Sequence, residues 1–216
     1  MKLALILVGS LALLVLAAGA FFVFVTQNVE TPTYQVIDQD APYELRDYPG
    51  LIVAEVRRSG SRRESLSAGF GSLARYIFAR ERSGPSIAMT APVTQQRRGP
   101  IAMTAPVVQS QTSGGDWVVR FIMPAEYGLA DLPTPGGSDV TLQPIPPQRR
   151  AAIRFSGKAT DEVLAAQEMA LRDWMAERGL AAEGPPVYAY YNDPFTPPFL
   201  RRYEVLIDVA GTHEGR

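Results

Sequence analysis

Apolar residues fill the chain from Leu3 to Val25 with no charge among them. Beyond Thr26 apolar and polar positions interleave instead. A helix of that first length spans about 34 Å, enough to cross a bilayer core of about 30 Å. A cleaved signal peptide has a shorter apolar region, about 7–15 residues. Here Phe21–Val25 continue the run past the cleavage-like Ala18-Gly19-Ala20, so the segment reads as an uncleaved anchor. Lys2 precedes it, and no Lys or Arg follows until Arg46. The positive-inside rule therefore predicts a cytoplasmic N-terminus, with the body on the periplasmic or extracellular side. Residues 1–30 are anchor and tether, 31–210 the folded domain and 211–216 a polar tail.

Within the domain a period of two marks strands and a period near 3.6 marks helices. Tyr43–Pro49 alternates and ends at Pro-Gly; Leu51–Val56 follows as a second strand. Ser61-Arg62-Arg63-Glu64 is a capping box. Leu66, Phe70, Leu73, Ile77 and Phe78 then recur at helical spacing, predicting an amphipathic helix to about Arg82. Asp116–Pro124 and Arg149–Phe155 read as strands, with a short one over Asp139–Leu142. Thr160, Asp161 and Glu162 open a second helix that stops at Gly179, with Leu164, Met169, Leu171, Trp174 and Met175 on its buried side. Val187–Tyr191 and Phe199–Val209 close the chain as strands. Each half thus runs strand, helix, strand, strand, an internal pseudo-duplication of an α+β unit with both helices on one side of antiparallel sheet.

Residues 87–93 and 101–107 are the same heptapeptide, Ile-Ala-Met-Thr-Ala-Pro-Val. Their alternation predicts the two strands of a hairpin, linked by the polar Thr94–Pro100. Pro92 and Pro106 cannot donate to a ladder and belong at an edge, a bulge or a strand end. The first helix contains Gly69-Phe70-Gly71-Ser72-Leu73-Ala74, which fits G-x-G-x-x-A, but its glycines lie inside a helix rather than between strand and helix. Two such glycines cost about 1 kcal/mol each against Ala. Either another part of the chain approaches closely there, or the helix offers a flat surface to a planar ligand.

Charge changes the picture little: 21 basic and 22 acidic residues give a net −1. That balance argues against nucleic acid as the main partner. The absence of Cys excludes disulfides, thiolate metal sites and Cys nucleophiles. The single histidine, His213, lies in the tail, so no Ser–His pair exists in the body. Carboxylates and tyrosines such as Glu204, Tyr188 and Tyr190 remain as the acid or base of any enzyme, and the chain is not expected to be one.

Tyr43–Pro49, the paired heptapeptides and Asp193–Arg202 together resemble the SOUL haem-binding protein family over about residues 33–210. The resemblance implies a distorted antiparallel β-barrel of about eight strands with two long helices and a two-fold pseudo-repeat. It implies binding of haem or another tetrapyrrole against the first helix, near the loop before the last strand. The ligand-facing residues carried over are Leu66, Phe70, Leu73, Arg75 and Ile77. Arg75 stands where members pair a basic residue with a propionate, and Arg201 and Arg202 match the family's Arg pair. A structural pairing of that pair to Glu204 or loop carbonyls is the other reading. Ser67 replaces a second basic residue, and Tyr203 an Asn. With no His in the body, Met89, Met103 and Tyr76 are the formal iron ligands. The expected function is membrane-tethered tetrapyrrole binding. The alternatives are a small-molecule-binding or hydrolytic module of the effector-binding type, or a non-catalytic envelope interaction protein.

Overall fold

A computed structural model describes residues 29–97, 116–136, 139–193 and 195–210. Nine strands and two helices alternate along them: β1 Gln35–Asp40, β2 Tyr43–Tyr48, β3 Leu51–Arg58, α1 Arg62–Ile77, β4 Val93–Arg97, β5 Trp117–Ile122, β6 Thr141–Ile145, β7 Gln148–Phe155, α2 Asp161–Glu177, β8 Ala182–Tyr190 and β9 Tyr203–Val209. The strands form one sheet in the order β1-β2-β7-β9-β8-β4-β5-β3-β6, antiparallel throughout.

This order gives the pseudo-repeat its geometry. β3-α1-β4-β5 lies as β3-β5-β4, and β7-α2-β8-β9 lies as β7-β9-β8. The halves meet at β4 and β8, where Val93 opposes Tyr190 and Thr94 opposes Ala189. The strand before each unit pairs with the opposite half: β2 beside β7, β6 beside β3. The sheet ends in two edges. All six residues of β1 are exposed, and β6 contains Pro144, which has no N–H to donate. Among the described residues no ladder joins those edges into the barrel that the family likeness implies.

Local chemistry explains the helices. The Ser61 side chain accepts from Glu64 N, and Glu64 accepts from Ser61 N, so the expected capping box forms. α1 stops at Ile77, short of Arg82. Ala79 turns to φ 54°, and the Arg82 guanidinium donates to the Tyr76 carbonyl at 2.8 Å, satisfying an end-of-helix acceptor. α2 begins at the predicted Thr160 cap and ends before Gly179, at φ +66°.

Each helix seals its own core. Leu73 and Ile77 pack with Ala54, Val56, Val119 and Phe121; Leu171, Trp174 and Met175 pack with Ala151, Ile153, Val205 and Ile207. Met169, expected inside, is 63% exposed. The heptapeptide hairpin is corrected for the copy that is described. Residues 87–92 are irregular, and only Val93 enters a strand. Ladder formation begins after Pro92 and runs through the supposed linker, with β5 as partner. Gln95 is fully buried there because its amide donates to the Arg62 carbonyl at 2.8 Å. The second copy lies outside the described residues, as do the anchor segment 3–25 and His213.

Candidate functional site

α1 carries two stripes. One residue advances about 100° around a helix. Leu66, Leu73 and Ile77 therefore share one side, while Arg75 stands on the opposite side of the same helix. The structure separates them accordingly. Leu73 and Ile77 are 0% and 1% exposed and belong to the core, and Leu66 is half-buried against it. Leu73 and Ile77 thus lie inside the core and Leu66 against it, whereas Phe70 and Arg75 reach the surface.

The outer stripe lines a shallow open concavity of about 310 Å³, bounded by Phe70, Gly71, Ala74, Arg75, Phe78 and Arg80. Phe70 is anchored edge-on to Phe121, ring centroids 5.3 Å apart, yet stays 39% exposed. Phe78, half-exposed at the C-cap, supplies the other aromatic wall. Phe70, Ala74 and Phe78 recur every four residues, the signal that sequence reading merged with the core stripe. The two glycines divide the work proposed for them. A Cβ on Gly69 would lie 2.7 Å from Val119, so that glycine lets α1 sit close on β5. A Cβ on Gly71 would meet only the Arg75 guanidinium, at 3.7 Å, so that glycine keeps the outer floor flat.

The electrostatics of the rim come from Arg75 and Arg80. Arg75 Nε pairs with Glu81 Oε1 at 2.6 Å, and Arg75 also donates to Ser72 Oγ at 3.0 Å. Both partners of the ion pair are nearly half exposed, so it contributes at most about 1 kcal/mol. A ligand carboxylate can exchange with Glu81 at little cost.

Arg201 and Arg202 take the structural role. Arg201 Nε donates to the Thr196 carbonyl at 2.6 Å. Arg202 donates to Glu204 Oε1 at 2.8 Å and lies 3.9 Å from the Tyr191 ring centre. Neither lines the concavity. Glu204 itself is fully buried and saturated: it accepts from Arg46 at 2.8 and 3.1 Å and from Tyr191 Oη at 2.8 Å. Burial pushes its carboxyl up, but the Arg46 hydrogen bond and charge, with those of Arg202, outweigh it and hold the carboxyl below the ordinary glutamate range. A carboxylate so clamped is a poor proton acceptor. Tyr190 Oη accepts from Arg62 at 2.8 Å, and Tyr188 Oη faces Glu168 at 3.4 Å. Burial and then the Glu168 charge push the Tyr188 phenol up to about 12. None of these groups is poised for acid–base chemistry at neutral pH.

The formal iron ligands are also committed. Tyr76 is 2% exposed and donates to the Pro133 carbonyl at 2.8 Å; Met89 packs against the α1 core. Met103 lies outside the described residues. Among the described residues no group of three His, Cys, Asp or Glu could hold a metal ion. Among the described residues the concavity is lined by apolar side chains and two guanidiniums, with no sulfur, imidazole or phenol donor.

The family model described as SOUL heme-binding protein matches residues 29–208. No curated protein sequence matches the chain. The fold is similar to EcmrR in a cryo-EM structure of its DNA complex, at 12% identity and TM-score 0.56, over 90% of this chain and 64% of that one. It is similar to the EcmrR C-terminal domain at 14% identity and TM-score 0.52, over 82% and 97% of the two chains. A hydrolase from Listeria innocua shares 12% identity at TM-score 0.52, over 81% and 94%. The chain spans about two thirds of the length of the DNA-complexed EcmrR. At these identities the likeness concerns the fold alone.

Proposed function

The chain belongs to the SOUL heme-binding protein family, and from that premise we propose that it is a membrane-tethered binder of haem or a related tetrapyrrole, acting in transport or buffering. The observation that carries the reading is the outer face of α1. An aromatic-walled floor, flat at Gly71, lies beside the Arg75 and Arg80 guanidiniums. A macrocycle stacks on Phe70 and Phe78 through its faces and edges. Its propionates pair with the guanidiniums, whose planar fork suits a carboxylate. Bound haem would supply the iron's redox and ligand chemistry; the chain's own residues hold the ring and its acidic tails. The lining side chains supply contacts to the ring and to its acidic tails.

The tether is residues 3–25. Their charge-free, almost entirely apolar run supports a single-pass anchor with the domain outside the cytoplasm. Among the described residues no helix is long and apolar enough to cross a membrane, so the anchor reading rests on that segment. The effector-binding alternative draws its support from the EcmrR-like fold. A hydrolytic role has less: Glu204, the buried carboxylate nearest the sheet centre, is held by two arginines.

The test is a spectroscopic titration of the full chain in detergent with haemin and with metal-free protoporphyrin. Saturable shifts with both are expected. A response to neither would remove the reading, and a response to haemin alone would show that the iron is recognised.

A further inference from the structure

The loop between β8 and β9 presents three large apolar side chains to solvent: Phe195 at 83%, Phe199 at 75% and Leu200 at 43% exposure. The loop is nonetheless well built. Asp193 accepts from Phe195 N, from Thr196 N and from Thr196 Oγ1 at 2.7–3.1 Å. Pro198–Leu200 form a 3-10 turn, and Gly157 N donates to the Pro198 carbonyl at 3.0 Å. A segment whose backbone is satisfied while its phenyl rings point outward presents a fixed apolar surface.

The position of that surface in the fold identifies its occupant. Tyr190 opposes Tyr203 and Val93, and Val93 opposes Phe121, so the β8–β9 loop leaves the sheet where β4 begins and β5 ends. The start of the described chain is fastened at that same end. The Glu30 carbonyl accepts from Ala91 N at 2.8 Å, and its carboxylate accepts from Ala125 N at 2.9 Å. Only five residue steps separate Glu30 from Val25, the last apolar residue of the anchor run. Fully extended they reach about 17 Å, against a headgroup layer of about 7 Å. On the tether reading the sheet end bearing Glu30 therefore stays within about 10 Å of the membrane surface, and the loop that carries the phenyl rings lies at that end. Aromatic side chains favour this interfacial zone.

We infer that Phe195, Phe199 and Leu200 insert into the interface of the bilayer crossed by residues 3–25, docking the domain in one orientation. The inference rests on the tether reading and does not depend on tetrapyrrole binding. α1 ends at the same sheet end, where the Ile77 carbonyl accepts from Ile87 N at 2.7 Å. Docking therefore holds the concavity close to the lipid, from which an amphipathic ring partitions.

The chain has no Cys, so a single introduced Cys carries a nitroxide cleanly. The experiment reconstitutes the full chain, as Phe199→Cys or Phe195→Cys, in phosphatidylcholine–phosphatidylglycerol liposomes. Met169→Cys, exposed on α2, serves as the water-facing control. Power saturation compares access to oxygen and to a nickel chelate. Labels at 199 and 195 are expected to favour oxygen, and the label at 169 to favour nickel. A chain that stays with the liposomes while all three labels favour nickel overturns the docking and leaves the tether standing. A loop label shielded from both oxygen and nickel in liposomes points to a protein contact and also overturns it. A chain that fails to stay with the liposomes overturns both.

Discussion

Gly69→Ala and Gly71→Ala place the same methyl group two residues apart on α1, and the structure gives them opposite signs. In an exposed helix interior, Gly to Ala is favourable by about 1 kcal/mol. At position 71 nothing opposes that gain, since the new methyl group meets only the Arg75 guanidinium at an ordinary 3.7 Å. At position 69 the methyl group lies 2.7 Å from both Cβ and Cγ2 of Val119. Val119 is 0% exposed, on a strand paired with β3 and β4, so it has little room to yield. Overpacking of this kind costs about 1–3 kcal/mol, which leaves a net loss of up to about 2 kcal/mol after the helix gain. For a domain of this size each kcal/mol moves Tm by about 2–4 °C. Gly71→Ala is therefore expected to raise Tm by about 2–4 °C and Gly69→Ala to lower it by a similar amount. Thermal unfolding followed by circular dichroism, with each full-length variant in the same detergent, reads the difference. Equal losses in both variants would refute the account, because Gly71 would then be packed against something rather than flooring an open surface.

Glu204→Gln removes the bidentate acceptor of Arg46, a guanidinium only 1% exposed, while Glu44 remains at its Nε. Breaking such a pair costs about 3 kcal/mol or more, lowering Tm by roughly 6–12 °C. Because the folded Glu204 carboxyl is held below the ordinary 4.5, its contribution is present above that pH and lost as pH falls through the folded value. Melting curves of wild type and variant should therefore converge as pH falls below the folded value of Glu204. Glu81→Gln frees Arg75 from its ion pair, so protoporphyrin affinity is expected to rise by less than about tenfold. An unchanged or weaker dissociation constant would count against Arg75 as the carboxylate partner. In an absorbance titration of the phenols, Tyr188 is expected to ionise near about 12, above the ordinary tyrosine range because of burial and the Glu168 charge, and Glu168→Gln should bring it down.

The starts of both helices and the end of α2 were legible because they are written in short-range chemistry: Ser61 with Glu64, and Thr160 with Gly179. β2, β3, β5 and β7 were legible because one face of each is apolar. β1 was not, since Gln35–Asp40 is exposed on both sides and has no alternation to read. Strand order was hidden for a different reason. The pairing of β2 with β7 and of β6 with β3 joins residues about a hundred positions apart, which no local pattern encodes. Gln95, expected in a polar linker, is buried, because its hydrogen bond to Arg62 O replaces one to water; Arg46 is buried against Glu204 for the same reason. At the candidate site, Phe70 and Arg75 lie on the surface of α1, while Leu73 and Ile77 lie in the core. Helical spacing identifies a stripe, but the neighbours decide which stripe is core.

The central claim is that a flat ring lies on the outer face of α1, and the Gly71→Leu variant tests it most directly. Leucine at that position fills the floor between Phe70 and Phe78 without touching the core. Protoporphyrin titration of full-length wild type and variant, alongside their melting curves, gives the comparison. The expected result is an affinity at least about tenfold weaker with Tm not lowered, equivalent to about 1.4 kcal/mol of lost contact. Equal affinity in the two proteins would place the ligand elsewhere and contradict the account.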